Sequence, residues 1–431
     1  MFGTAEFPSV AVVGSGPSGL YTAATILRDD ERVRVDVIDR LPAPYGLVRY
    51  GVAPDHATIK TVTRVLARPF ADGRVRFLGN VEVGRQLTHA DLVARYDAVV
   101  YATGSQLDRP LGVPDEDLRG SIGSARLVGW YSGHPDAEPV DLGKTGVVVV
   151  GGGNVALDIA RVLARPAADL RSTDVPGQVL AALEASRVTD VNVLIRRGPA
   201  DTKFSYLELL SLDELDDVDL MVHDDVRAAL PDDLGTGPEA DRIRRNIELF
   251  SRWQDAAPTG RPRRIHFHFR RRVDRLLGDE GRVVAVKTSA TGGSMSASET
   301  LAAGLVVRAI GYDATPLPGL PFDVKRGLVP NEAGRVVAGV YVAGWCKRGA
   351  TGVIATNKKC ATETATAVLA DLSTLAGRGL PEVPPGATDW SGWLRLDEHE
   401  REAGVARGAE RVKSADLDWM VAVASGEALH A

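Results

Sequence analysis

Cysteine is almost absent from this sequence, which has 2 Cys in 431 residues. Two thiols are too few for a disulfide framework, a cysteine-rich zinc site or a cysteine-ligated iron–sulfur cluster. Long hydrophobic runs are also missing, since no stretch approaches the ~20 apolar residues of a membrane-spanning helix. Residues 1–9 contain no Lys or Arg, so the charged start of a secretory signal is lacking. These absences favour a cytoplasmic protein that does not insert into a membrane.

Excess charge of one sign is small as well, because the formal net charge is -6. This mild acidity argues against nucleic acid as a partner. The hydrophobic fraction of 44% is that of a folded protein and excludes general disorder. At roughly 100–200 residues per domain, the length predicts two or three domains.

A glycine-rich turn near the N-terminus is the first positive signal. An apolar strand beginning at Val10 runs into residues 14–19 (GSGPSG), and a helical pattern follows. A second strand ends at Asp39, twenty residues after Gly19. Such glycines let the backbone approach a pyrophosphate at the helix start, and the acid accepts a hydrogen bond from a ribose hydroxyl. We therefore predict a nucleotide site, the alternative being a merely structural glycine turn. Its contacts through the turn are Gly14, Ser15, Gly16, Pro17 and Gly19.

The same strand–turn–helix pattern returns at residues 147–163, with Ala156 in place of the third glycine. Here the following strand ends not in an acid but in Arg196 and Arg197. Guanidinium groups pair bidentately with phosphate, which an acid would repel. The pattern therefore predicts NADP(H) rather than NAD(H) at this second site. The alternative is that both arginines are ordinary solvated charges.

Two fingerprints predict an α/β fold with two dinucleotide-binding, Rossmann-like domains. Apolar strands at 96–104 and 339–345 lie on either side of the second fingerprint, so its domain looks inserted in the first. Pro-bearing segments at 108–110 and 313–318 mark the crossings. We expect residues 1–108 and 314–431 to form one domain and residues 109–313 the other. The C-terminal tail receives no role from its sequence.

Several longer motifs are more specific than the fingerprints. They are residues 46–56 (GLVRYGVAPDH), 151–158 (GGGNVALD), 196–199 (RRGP) and 344–354 (GWCKRGATGVI). Together they resemble the adrenodoxin-reductase family of ferredoxin–NADP reductases, from residue 8 to about residue 375. The resemblance implies FAD in the first domain and NADP(H) in the second. It further implies that electrons pass to a ferredoxin, with a cytochrome P450 as one acceptor beyond it.

The resemblance also implies further cofactor contacts in both domains. Those to FAD are Ser15, Asp39, Leu47, Val83, Trp345, Gly352, Val353 and Ile354. Those to NADP are Arg109, Gly152, Gly153, Asn154, Val155, Arg196, Arg197, Glu208 and Gly352. The segment 351–354 looks like a helix start whose N–H groups would stabilise negative charge on the reduced flavin, and Gly352 would let the nicotinamide approach. Trp345 either stacks near the flavin or is a core aromatic.

Catalytic roles are implied for His56, Glu208 and Gly352. A histidine titrates near neutral pH and suits proton handling, although a single His is often structural. Relatives carry a second acid three residues after the position of Glu208, where this chain has Ser211. A proton relay through that second acid is therefore in doubt, while hydride transfer needs no protein acid.

Two other groups of charged residues have open interpretations. Arg242, Arg245 and Arg252 share much of one face of a predicted helix over 241–253, which would suit an acidic ferredoxin or be ordinary surface charge. His266 and His268 lie on one face of a strand without a matching third ligand, so we expect a solvated strand face and no metal.

Electrons must leave directly from the flavin, because Cys346 and Cys360 are too far apart in sequence to form a Cys-x-x-Cys relay. The sequence thus predicts a ferredoxin–NADP(+) reductase. Two alternatives remain: an NADPH:quinone or oxygen oxidoreductase without a ferredoxin, and a non-catalytic flavoprotein that senses NADPH.

Overall fold

The computed structural model describes residues 7–227, 234–291, 298–372 and 377–427. Its contacts divide the chain into two compact units. The first unit contains the chain up to Leu107, residues 132–135, and everything from Tyr312 onward. The second unit contains residues 108–131 and 136–311.

The described elements alternate between strands and helices over most of the chain. The strands are β1 (Ser9–Val13), β2 (Arg34–Ile38), β3 (Val75–Leu78), β4 (Ala98–Tyr101), β5 (Leu107–Asp108), β6 (Ser121–Gly123), β7 (Gly146–Val150), β8 (Asp190–Leu194), β9 (Val218–Val222), β10 (Arg263–His268), β11 (Arg271–Asp279), β12 (Arg282–Ala290), β13 (Glu299–Ala302), β14 (Leu305–Arg308), β15 (Tyr312–Asp313), β16 (Arg335–Val337) and β17 (Val340–Val342). The helices are α1 (Pro17–Asp29), α2 (Leu47–Tyr50), α3 (Ala57–Lys60), α4 (Thr63–Leu66), α5 (His89–Arg95), α6 (Ser124–Ser132), α7 (Asn154–Ala164), α8 (Gly177–Glu184), α9 (Tyr206–Leu210), α10 (Pro238–Asp255), α11 (Trp345–Arg348), α12 (Ile354–Leu372), α13 (Trp390–Arg407) and α14 (Leu417–Ser425). None of the helices in the described ranges has both the length and the hydropathy needed to cross a membrane.

The first unit is built on a six-stranded sheet in the order β16-β17-β4-β1-β2-β3. All neighbouring pairs are parallel except β16 with β17. The central strand β1 is buried along its whole length, as expected of a parallel sheet that is covered on both faces. Val13 at the end of β1 lies opposite Ile38 and Tyr101, so the loops after β1, β2 and β4 meet at one edge.

The helices α1 and α12 cover one face of this sheet, and the C-terminal tail adds a further layer. Trp393 and Leu396 of α13 and Met420 of α14 are buried in the same core cluster as Val10 and Leu20. The tail that received no role from sequence is therefore part of the core of the first unit.

The second unit has a parallel six-stranded sheet in the order β6-β14-β7-β8-β10-β9. A smaller antiparallel sheet, β11-β12-β13, packs against it through Val273, Leu276 and Val286. Each unit thus has a wholly or mainly parallel sheet with a glycine-rich turn after an inner strand, followed by a helix. The predicted α/β class with two Rossmann-like domains is confirmed.

Candidate functional site

The turn after β1 is shaped by two glycines that the protein's own packing requires. A Cβ on Gly14 would lie 2.5 Å from the carbonyl oxygen of Ala102, and Gly14 has a φ of +107°. A Cβ on Gly19 would lie 1.9 Å from the carbonyl oxygen of Gly14. Both positions exclude a side chain because backbone atoms fill the space.

Gly16 is different, because no protein atom close to it requires a glycine. Its φ of -72° suits any residue, and the nearest atom to a Cβ would be Gly46 Cα at 3.9 Å. Gly16 is the N-cap of α1, and Pro17 is the first residue of the helix. The N–H groups in a helix's first turn have no partner within the helix and attract anions. The turn therefore leaves a cradle of the kind that a pyrophosphate fills.

Asp39 holds this turn in place. Its Oδ2 accepts hydrogen bonds from the N–H of Ser15 at 2.9 Å and from Ser15 Oγ at 2.5 Å. Its Oδ1 accepts one from the N–H of Leu41 at 3.1 Å. Because each carboxylate oxygen can accept about two hydrogen bonds, Oδ1 keeps capacity for a ribose hydroxyl.

The motif that begins at Gly46 forms the opposite wall of the cradle. The N–H of Tyr45 donates to the carbonyl of Ser15 at 3.0 Å, and a Cβ on Gly46 would lie 3.0 Å from Gly16 Cα. Leu47 begins α2 and is 41% exposed, an unusual state for a leucine in an otherwise buried turn. Val83 is only partly buried, at the border of a core cluster.

Ser105 is a residue that the sequence reasoning missed. It follows the turn after β4, and its Oγ is buried without a hydrogen-bond partner among the described residues. Buried hydroxyls are normally satisfied, so this one, three residues after the Ala102 carbonyl that lies against Gly14, is a candidate for a ligand contact. The small-residue turn at 102–104 was the available signal.

The segment 344–354 differs in one respect from the expectation. Helix α12 begins at Ile354 as predicted, and Val353 is 67% exposed. The N–H of Val353, however, donates to Thr356 Oγ1 at 3.2 Å, so this group is not free for the flavin. A Cβ on Gly352 would meet the side chain of Thr356 at 2.7 Å, and its φ is +82°.

Trp345 is held by partners within the first unit. Its ring stacks on Tyr312 with centroids 6.3 Å apart, and its Nε1 donates to the carbonyl of Thr351 at 3.1 Å. Trp345 is half-buried, so its ring is neither enclosed in the core nor fully exposed to solvent.

The turn after β7 in the second unit is built like the turn after β1. A Cβ on Gly151 would lie 2.3 Å from the carbonyl oxygen of Ala309, whereas Gly153 has no atom within 4 Å of a Cβ position. Gly153 is the N-cap of α7. Gly152 accepts a hydrogen bond from the N–H of Lys203 at 2.8 Å through its carbonyl. The open glycine again lies at a helix start, and the half-buried Val155 follows in the first turn.

Asn154 fixes the start of α7 to a neighbouring loop. Its Oδ1 accepts from the N–H of Ser205 at 2.9 Å, and its Nδ2 donates to Ser205 Oγ at 3.3 Å. The side chain therefore braces the turn against the loop at Ser205.

Arg196 and Arg197 carry exposed guanidinium groups. Their carbonyls are engaged, by Thr291 Oγ1 at 2.6 Å and by the N–H of Arg270 at 3.0 Å. Neither side chain forms an ion pair within the part of the chain that the structure describes. Arg109 is likewise exposed, and its N–H donates to the carbonyl of Gly311 at 3.1 Å.

Glu208 lies against a buried cation. Its Oε2 is 3.6 Å from Nη1 of Arg161, and Nη2 of the same arginine pairs with Oδ1 of Asp158 at 2.7 Å. Ser211 does not substitute for the missing acid, because its Oγ donates to the carbonyl of Glu208 at 2.8 Å. In the first unit, His56 is the half-buried N-cap residue of α3.

The histidine pair on β10 is not a solvated strand face. His268 is only 4% exposed, and its ring stacks on that of His223 at 4.4 Å. Its Nε2 lies 3.0 Å from Asn192 Oδ1. Burial, together with the neighbouring His223 and His266, lowers the pKa of His268 to about 3. The expectation was wrong because Asn192 of β8 and His223, which follows β9, lie against the ring of His268.

Comparison with known proteins places the chain among flavin-dependent reductases. Residues 8–197 match the family model for pyridine nucleotide-disulphide oxidoreductases. A probable ferredoxin/ferredoxin–NADP reductase of Mycobacterium bovis is 42% identical, over 97% of this chain and 76% of that protein. A mitochondrial NADPH:adrenodoxin oxidoreductase of Arabidopsis thaliana is 37% identical, over 96% of this chain and 95% of that protein.

A solved structure agrees with these relatives over the whole fold. Mycobacterium tuberculosis FprA in complex with NADPH superposes with a TM-score of 0.90 at 36% identity, covering 97% of this chain and all of FprA. The chain therefore belongs to the adrenodoxin-reductase family of ferredoxin–NADP reductases.

Proposed function

We propose that this chain oxidises NADPH with bound FAD and passes the electrons one at a time to a ferredoxin. The observation that carries the proposal is the pair of open glycines, Gly16 and Gly153. Each lies at a helix start after an inner strand, and the open space beside it suits the pyrophosphate of a dinucleotide. Family membership supplies the identity of the cofactors, FAD and NADP(H).

The residues of the first unit would hold FAD. The first turn of α1 would bind its pyrophosphate, and Asp39 would accept from a ribose hydroxyl through Oδ1. The exposed Leu47 and the loop at Gly352 would line the flavin, with Val83, Trp345, Val353 and Ile354 beside them. Bound FAD supplies the change from two-electron hydride chemistry to single-electron transfer.

The residues of the second unit would hold NADPH. The N–H groups of 152–155 would bind its pyrophosphate, while Arg196 and Arg197 would bind the 2′-phosphate. Their exposed guanidinium groups support this assignment, since no acid in the described residues neutralises them. Arg109 and Glu208 are proposed contacts as well. His56 is a proposed proton-handling group.

Electrons would leave from the flavin and not from a thiol. Cys346 and Cys360 are both free and buried, and burial raises the pKa of the Cys346 thiol. A buried, protonated thiol is a poor redox relay. Free cysteines also suit a reducing compartment, which supports a cytoplasmic location within the same proposal.

The ferredoxin docking surface that we propose on α10 is weaker in charge than its sequence suggested. Arg242 pairs with Glu239 at 2.7 Å, and Arg252 pairs with Asp213. Arg245 is exposed, with its guanidinium 5.2 Å from the centre of the Tyr206 ring. Arg245 is therefore the residue of this face most open to an acidic partner. A cytochrome P450 that accepts electrons from that ferredoxin is a further proposal.

An acceptor comparison tests the function. Purified enzyme would be assayed with NADPH and one of three acceptors: ferredoxin coupled to cytochrome c, a quinone, or oxygen. We expect cytochrome c reduction to rise with ferredoxin concentration until it saturates. Fast quinone reduction with no response to ferredoxin would instead identify a quinone oxidoreductase. No turnover with any acceptor, ferricyanide included, would identify a sensor.

A further inference from the structure

The C-terminal helices make direct contact with the turn that forms one wall of the proposed FAD cradle. This turn, residues 45–50, rests on the first fingerprint through the bond from Tyr45 to Ser15. Its position sets the spacing between Gly46 and Gly16, and so the width of the cradle. A role for the tail at this site rests on the proposed function, because it requires that FAD fills this cradle.

The turn has a strained start. Tyr45 has a φ of +84°, in a region that residues with bulky side chains rarely adopt. Such conformations persist only where surrounding contacts enforce them. One contact is with the tail, since the Tyr45 ring meets the edge of Trp393 at 5.7 Å. Burial raises the pKa of Tyr45 to about 12, in keeping with an enclosed ring.

A buried ion pair then joins the turn to α13. Nη2 of Arg49 lies 2.5 Å from Oε1 of Glu400, and the two side chains are 4% and 1% exposed. The guanidinium also lies 5.3 Å from the centre of the Trp393 ring. These partners are 351 positions apart in sequence, so the ion pair joins α13 to the turn at residues 45–50.

Other groups fix both ends of this connection. Lys413 Nζ donates to the carbonyl of Arg49 at 2.9 Å, and the N–H of Ser414 donates to Oε1 of Glu400 at 3.0 Å. Nη1 of Arg411 lies 3.7 Å from Oε2 of Glu400. The carboxylate is therefore held by the tail and presented to the turn.

We propose that the C-terminal tail is a clamp on the FAD site, and that Glu400 is its positioning residue. Glu400 does not line the cradle. It acts through Arg49, keeping residues 45–50 pressed against Ser15 and Gly16. Loss of its charge would leave the buried Arg49 guanidinium unpaired, and that guanidinium would move toward water and carry the turn with it.

The test measures FAD release from the holoenzyme. Glu400→Gln removes the charge with little change of shape, and Glu400→Asp restores the charge on a shorter side chain. The matched control is Glu398→Gln, the same change at an exposed position of the same helix that forms no ion pair within the described ranges. Release would be followed by flavin fluorescence after dilution, at a temperature where far-UV circular dichroism shows every variant folded.

We expect Glu400→Gln to release FAD about tenfold faster or more, and Glu400→Asp to recover part of the difference. The Glu398→Gln control should stay within about twofold of the wild type. The visible circular dichroism of the bound flavin should change in Glu400→Gln and stay unchanged in the Glu398→Gln control. A purely structural role would lower the melting temperature and leave release and spectrum unchanged.

Lys413→Met provides a second variant if Glu400→Gln does not fold, because it removes the bond to the Arg49 carbonyl. Wild-type release rates in the folded forms of these variants would overturn the clamp. A wild-type protein that holds no FAD would instead overturn the proposed function, so the two failures are distinguishable.

Discussion

Replacing Gly16 with valine tests whether this position is a glycine because a ligand binds there or because the protein's own packing requires it. The backbone at Gly16 accepts any residue, and the nearest atom to a new Cβ is 3.9 Å away. The added Cβ should therefore cost the unliganded fold little, about 1 kcal/mol or less for a poorer N-cap. Gly19→Ala is the contrasting variant, because its Cβ would lie 1.9 Å from a backbone oxygen.

The effect of Gly16→Val on FAD should be large. A valine side chain would displace the pyrophosphate from the first turn of α1, where the N–H groups of Ser18 and Gly19 can bind it. Two charge-assisted hydrogen bonds at ~1.5–3 kcal/mol each correspond to a rise in the FAD dissociation constant of roughly 10²–10⁴-fold. Apoprotein would be titrated with FAD by flavin fluorescence, and its melting temperature measured without FAD.

The expected pattern is an almost unchanged apoprotein melting temperature with lost FAD affinity for Gly16→Val, and a lowered melting temperature for Gly19→Ala. Wild-type FAD affinity in Gly16→Val would refute the assignment of the cradle. A melting temperature lowered as far as in Gly19→Ala would show that Gly16 serves the fold.

Three further changes probe other parts of the account. Arg196→Ala with Arg197→Ala should raise KM for NADPH about ten- to several-hundredfold and leave that for NADH nearly unchanged; an equal loss for both nucleotides would assign the arginines to the fold. Arg242→Glu with Arg245→Glu should slow ferredoxin-dependent cytochrome c reduction, most at low salt, and spare ferricyanide reduction; a parallel fall of both activities would contradict docking there. Because the pKa of His268 is lowered in the folded state, only the unfolded state takes up its proton as the pH falls from 6.5 toward about 3, so stability declines in that window. Between pH 6.5 and 5 this histidine should lower the free energy of unfolding by about 2 kcal/mol. The variant His268→Asn should show a smaller decline of that free energy, measured by urea unfolding.

The parts of the structure with a local signal could be predicted from sequence. The strand predicted to end at Asp39 spans Arg34–Ile38, and the helix predicted over 241–253 spans Pro238–Asp255. Glycine turns, helix starts and apolar strands are determined mainly by neighbouring residues, so they can be located without knowledge of distant contacts.

Contacts between distant residues had no such signal. Nothing in the order of residues shows that Gly46 faces Gly16, or that Glu400 reaches Arg49. The burial of His268 depends on Asn192 and His223, which come from other parts of the chain, so the alternating pattern of its strand pointed wrongly to solvent. The ion pairs that engage Arg242 and Arg252 also arise only on folding, and an arginine count alone overstated the charge of α10.

The central claim is that electrons from NADPH leave this enzyme singly to a ferredoxin. The most direct measurement is an anaerobic rapid-mixing experiment that follows the flavin and the ferredoxin absorbance together. One equivalent of NADPH should bleach the flavin, and the reduced enzyme should then reduce two equivalents of a one-electron ferredoxin while the yellow colour returns. A flavin that NADPH bleaches but that ferredoxin does not reoxidise would contradict the claim.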